Sequence, residues 1–159
     1  MNKKLLAAAV VFFVSGAFMM VGGIGGIAYT YKSISAESIT TPDDATIPGA
    51  QVRGPFTIKS QADIIRTHTL KRTEGLTFAK MPRTIPKLDE NQNPVLDEKG
   101  EPVMVPNELR SGAWMPALTL TTSLQLAIVT YAFSLLSFVL GFLCMINGCV
   151  FLSLRKNLA

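Results

Sequence analysis

Reactive side chains are what this sequence has least of. Its 159 residues include one histidine, His68, and two cysteines, Cys144 and Cys149. A lone imidazole excludes a facial triad, and no Zn site assembles without a second imidazole or a thiolate beside it. Both cysteines fall in an apolar run near the end of the chain, five residues apart and so on different sides of a helix, which excludes a disulfide between them. Phosphate-binding glycine loops are missing too, since the glycines from Gly16 to Gly26 sit inside another apolar run. Asp89-x-Asn91-x-Asn93 opens like a calcium loop, but Pro94 stands where glycine is needed and Gly100 where the bidentate glutamate belongs. Asp89, Glu90, Asp97 and Glu98 therefore read as solvated charges, and His68 as an ordinary helix residue. The expectation is a protein that is not an enzyme, with no catalytic residue, no metal and no cofactor of its own.

Charge is absent from two long stretches. No Asp, Glu, Lys, Arg or His occurs from Leu5 to Tyr31, or from Ser111 to Leu154. Each stretch exceeds the ~20 residues that cross a ~30 Å hydrocarbon layer as a helix, so two transmembrane helices follow. Neither holds a carboxylate, a basic side chain or a histidine, which argues against a proton or ion pathway built by this chain. All 11 acidic residues lie between Glu37 and Glu108, and 11 of the 15 basic ones, Lys32 through Arg110, balance them. The surplus of +4 is Lys3, Lys4, Arg155 and Lys156, flanking the outer ends of the apolar runs. That positive-inside pattern predicts both termini in the cytoplasm and affinity for anionic lipid, and gives no nucleic-acid-binding face. A cleaved secretory signal competes for the first run. An h-region of ~7–15 residues is shorter than this run, and no clear small-x-small site or lipid-attachment cysteine follows it.

The expected fold is all-α: a two-transmembrane-helix hairpin with a largely irregular extracellular segment that contains one short helix and an extended arm. In detail, residues 1–4 form a cytoplasmic N-terminus and 5–28 the first span. Residues 29–125 are extracytoplasmic, with a helix at 61–73, a repeat arm at 86–106 and the start of a long helix at 116–125. The second span covers 126–152, and 153–159 is a cytoplasmic C-terminus. The 44 uncharged residues from Ser111 would make a helix of about 66 Å, twice the hydrocarbon thickness, so its polar first third projects outside.

Small residues mark the helix-packing faces. In the first span, Ser15, Gly16 and the Gly22-x-x-x-Gly26 pair permit close backbone approach. In the second, Ser123, Ala127, Thr130, Ser134, Ser137, Gly141, Cys144 and Gly148 step alternately by four and three, a heptad seam of small residues. Antiparallel pairing brings Ser15 and Gly16 to the depth of Gly141. One such contact does not use every small surface, which leaves some for another membrane protein.

Between the spans, Thr40 to Pro55 carries turn signals, Pro42-Asp43-Asp44 and Pro48-Gly49. Ser60-Gln61-Ala62-Asp63 resembles a capping box opening the short helix, which Gly75 would end. An internal repeat follows: Leu88-Asp-Glu-Asn-Gln-Asn-Pro-Val95, then Leu96-Asp-Glu-Lys-Gly-Glu-Pro-Val103, with five of eight positions matching. It favours extended segments and turns, either solvated or laid along a partner, and two copies are too few to build a core. Val95, Val103 and the interfacial Trp114 are the candidate partner contacts.

Ser38-Ile39-Thr40 with Asp43-Asp44, Gln61-Ala62-Asp63-Ile64-Ile65 with His68, and Gly75-Leu76-Thr77-Phe78-Ala79 resemble segments of actinobacterial two-span membrane proteins of uncharacterised function. Such proteins in turn look like accessory subunits, the association factors, of the cytochrome bcc–aa3 respiratory supercomplex. The resemblance implies a non-catalytic subunit in the cell membrane whose partners are integral membrane proteins, the bcc and aa3 subunits among them, and membrane lipids. The eight-residue repeat departs from that pattern. The alternative is a stand-alone envelope protein whose external segment binds a lipid, a cell-wall component or a secreted ligand.

Overall fold

The structure is a computed structural model that describes residues 3–157. Residues 1–2 and 158–159, the tips of the two predicted cytoplasmic tails, lie outside the described residues. Helix α1 spans Lys3–Ala36, α2 spans Pro55–Arg72, and α3 spans Met115–Asn157 after a π-helical turn at Arg110–Trp114. Two short strands, β1 (Thr84–Pro86) and β2 (Met104–Pro106), pair antiparallel with Ile85 opposite Val105. Both α1 and α3 with its preceding turn are long and apolar enough to cross a membrane.

Each long helix overruns the apolar segment that sequence defines. Eight further residues extend α1 past Ala28, because nothing between Tyr29 and Ala36 breaks a helix and Ile34 finds an apolar cluster to pack on. At the start of α3, Pro116 has no N–H to give the Gly112 carbonyl, and its ring crowds that position. The wide turn at Arg110–Trp114 absorbs the mismatch, so the helical path begins before the proline and not at it.

The segment between the two long apolar helices is more ordered than the expected irregular chain with a helix at 61–73. Helix α2 starts six residues earlier, at Pro55, where a proline in the first turn needs no N–H partner and Gly54 is extended. Thr57 Oγ1 accepts from Arg53 N at 3.1 Å and Gly54 N at 3.2 Å. Ser60 is thus no cap. It is buried inside the helix, and its hydroxyl accepts from Ile47 N at 2.9 Å, tying the preceding loop down. The other end is as the glycine signals: α2 closes at Arg72, and Gly75, at φ +80°, donates to Leu70 O at 2.8 Å.

Helix α2 is held against α3 by a core of Val52, Ile58, Ala62, Leu124, Ala127 and Tyr131. Val52 and Ile58 are fully buried, and Tyr131 Oη donates to Arg53 O at 2.7 Å. In the loop 41–50, the buried Thr41 hydroxyl donates to Ile47 O and accepts from Ala50 N. Loop, α2 and the outer part of α3 therefore form one packed unit.

Candidate interaction surfaces

Close approach of α1 and α3 follows a seven-residue period on each helix. On α1 the buried residues are Ala9, Gly16, Gly23 and Thr30; on the facing stretch of α3, Ala127, Ser134, Gly141 and Gly148 repeat at the same interval. The helices run antiparallel, since Gly148 lies against Phe13, Gly141 against Gly16 and Ser134 against Gly23. A Cβ on Gly16 would lie 2.8 Å from Gly141 O and 3.1 Å from the Cys144 Cβ; one on Gly141 would lie 2.7 Å from Gly16 O. Ser137 Oγ donates across the interface to Met19 O at 3.0 Å. Ser15 instead turns back on its own helix, donating to Val11 O at 2.8 Å. Near the other end Phe12 and Phe151 stack with centroids 5.4 Å apart. This antiparallel order sets the basic pairs Lys3–Lys4 and Arg155–Lys156 at the same end of the helix pair.

Not every small residue is used. A side chain added at Gly22 or Gly25 would meet nothing within 4 Å, whereas Gly23 and Gly26 both press on Ser134. The Gly22-x-x-x-Gly26 pair is thus split: at 100° per residue Gly22 rotates off the seam that Gly23 continues from Gly16. In α3, Ser123 is exposed and the seam begins at Ala127. Gly22 and Gly25 lie on an open apolar face with Phe18 and Val21, which are 82% and 71% exposed.

Trp114 is turned into the chain's own fold. Its indole is buried, and Nε1 donates to Leu76 O at 3.0 Å and to Thr73 Oγ1 at 3.2 Å, because the π turn aims it back at the end of α2. Arg110, also on that turn, donates through Nη1 to Phe78 O and Met81 O and lies 3.8 Å from the centre of the Phe78 ring. Asn107 adds a bond from Nδ2 to Pro82 O. These contacts root the arm.

The arm is a strand stem carrying two equivalent leaves. In the first, Asp89 Oδ1 accepts from Asn91 N at 2.9 Å and Asn93 N at 2.8 Å; in the second, Asp97 Oδ1 accepts from Lys99 N at 2.8 Å and Glu101 N at 2.9 Å. Bridges Leu88–Pro94 and Leu96–Pro102 close them. At the junction the backbone forms a ring: Val95 N donates to Lys87 O, Val103 N to Val95 O, and Lys87 N to Val103 O, at 2.8, 2.8 and 2.7 Å. The eight-residue period is what returns the chain to this ring each time. It also sorts the apolar side chains of the repeat by exposure. Val95 and Val103, the last residues of the two leaves, sit half-buried at the junction, while the first residues, Leu88 and Leu96, are 54% and 57% exposed. The repeat itself was the available signal for those leucines.

On α2, His68 Nε2 and Asp44 Oδ2 are 2.7 Å apart, and this hydrogen bond is the main cause holding the Asp44 carboxyl below its ordinary value. No three His, Cys, Asp or Glu side chains gather as a metal site among the described residues. Comparison with family models, curated proteins and solved structures finds no match.

Proposed function

We propose that the protein is a non-catalytic accessory subunit of a larger membrane complex, contributing to its assembly or stability. The observation that carries this reading is packing surface in excess of what the chain uses on itself. Gly22 and Gly25 form an open notch on α1, and the leaves hold Leu88 and Leu96 outward on a hydrogen-bonded frame. In lipid, close backbone approach at small residues is what drives helices together, so an open glycine notch suits a partner's transmembrane helix. A frame ordered before binding loses little conformational entropy on docking, which suits the leaves to a partner's external surface.

In this reading α1 and α3 cross the membrane with both termini in the cytoplasm, where Lys3, Lys4, Arg155 and Lys156 meet the anionic leaflet. Helix α2 and the arm stand outside. The resemblance of the 38–44, 61–68 and 75–79 segments to two-span proteins like the bcc–aa3 association factors makes a respiratory complex the proposed host. Affinity purification from native membrane in mild detergent, followed by mass spectrometry, tests this. Oxidase or bc-type subunits are expected in the eluate, and recovery as a lone species would sink the reading.

A further inference from the structure

A crevice of about 610 Å³ is lined by the last turns of α1 and the residues that follow, by α2, and by the first turns of α3. Its walls are apolar, with Ile34, Ile65, Leu120 and Leu124 among them, and its rim includes Glu37 and Gln61. Three properties point to one occupant. The first is depth: counted at 1.5 Å per residue, Leu120–Leu124 lie ~3–9 Å beyond Leu126 and Ser33 lies ~8 Å beyond Ala28, within or just above a head-group layer of ~5–8 Å. The second is continuity. Ile27 and Ile128, at the outer limit of the spans, pack on the same apolar cluster as Ile34, Ile39 and Ile65, so an apolar track leads from the hydrocarbon into the crevice. The third is the rim. Glu37 is the sole ionisable side chain among the lining residues, and the Gln61 amide oxygen is buried without a hydrogen-bond partner. Rotation about the broad terminal torsion of glutamine turns either amide atom to the crevice.

We infer that the crevice holds an acyl chain of one outer-leaflet phospholipid with a primary ammonium head group. The chain occupies the apolar cleft, a volume within the ~300–1,000 Å³ typical of small-molecule sites. The ammonium supplies positive charge to Glu37 and N–H donors to the Gln61 carboxamide, whereas an anionic head would meet Glu37 with like charge. A quaternary head carries the charge but no N–H. Such a lipid would wedge α1, α2 and α3 together at the membrane surface. The inference rests on the membrane-spanning reading but not on any partner complex.

The test places the full chain in nanodiscs of phosphatidylethanolamine and phosphatidylcholine at equal amounts and chain lengths, then releases it for native mass spectrometry. One retained lipid is expected, with phosphatidylethanolamine preferred about five-fold. Glu37→Gln should abolish that preference while retaining a lipid. Ser123→Trp, which fills the crevice from its exposed edge, should cut retention of both lipids about five-fold; Leu120→Trp serves if that variant loses helicity. Retention of no lipid, or retention indifferent to both tryptophan variants, overturns the site. A head-group preference that is absent, or that survives Glu37→Gln, overturns the ammonium assignment. Failure to enter nanodiscs at all overturns the membrane reading and is scored separately by flotation.

Discussion

At the scale of single residues, the two leaves are a matched experiment. Both place the fifth residue of the repeat in the left-handed region, Gln92 at φ +64° and Gly100 at φ +80°. A side chain there costs roughly 1–2 kcal/mol, partly offset by the ~0.5–1 kcal/mol of chain entropy that glycine loses. Gln92→Gly should therefore stabilise the first leaf by about 0.5–1 kcal/mol, slowing hydrogen exchange at the Asp89 amide about two- to five-fold with Asp97 unchanged. Gly100→Ala should do the reverse in the second leaf, and equal exchange in all three proteins would contradict the geometry.

Asp44 allows a signed pH prediction. Its folded pKa is lowered, first by the hydrogen bond from His68, so its contribution is fully present above the unfolded carboxylate value and is lost as pH falls through the lowered folded one. Amides of the loop 41–50 should gain exchange over that acid window, and the change should vanish in Asp44→Asn. A loop whose exchange tracks pH equally in both proteins would show the pair to be idle. The isolated sequence has His68 as a lone helix residue, and nothing in it reports that residue 44 folds back 24 positions to reach it.

Elements respond to which glycine is changed. A methyl group on Gly23 would lie 2.6 Å from Ser134 O and 2.8 Å from Phe138 N, backbone atoms that cannot rotate away. Gly23→Ala is expected to force α1 from α3 at a cost of about 1–3 kcal/mol, read as reversible unfolding in mixed micelles. Gly22→Ala, one residue away, meets open space and should change stability by no more than about 0.5 kcal/mol. Under the accessory-subunit reading, Gly22→Leu leaves the isolated chain intact and yet reduces co-purification, which a purely structural role for the glycines would not produce. Composition and period were enough to find both long apolar helices and the break that follows α2, which closes at Arg72 ahead of Gly75. They were not enough to start α2 correctly, because Ser60 matches a capping pattern and only the fold shows its hydroxyl bonding Ile47.

For the whole molecule, the decisive residue is Trp114, the chain's single tryptophan. It locks the end of α2 and the root of the arm onto the start of α3, so one indole reports whether the unit of α2, arm and α3 is assembled. Its emission should be blue-shifted and poorly quenched by aqueous iodide in the detergent-solubilised protein, and free access of quencher would refute the packing. Trp114→Phe removes the indole N–H and leaves Leu76 O with the Thr73 hydroxyl as its donor, for an expected loss of about 0.5–1.5 kcal/mol in thermal unfolding; Trp114→Ala also leaves a cavity and should cost about 3–5 kcal/mol.

What the sequence determined by itself are properties that accumulate along the chain: two uncharged runs long enough to span a bilayer, basic pairs beyond them, a scarcity of catalytic side chains and a period of eight. Hydropathy, charge and spacing are sums over neighbours, and they survive without knowledge of the fold. Only the tertiary structure decided that Gly23 and not Gly22 meets α3, that Trp114 turns inward, and that the repeat closes a backbone ring exposing Leu88 and Leu96. Each depends on distant residues arriving at one place, and a single step of 100° around a helix, or one wide turn before Pro116, changes which side chain is delivered there.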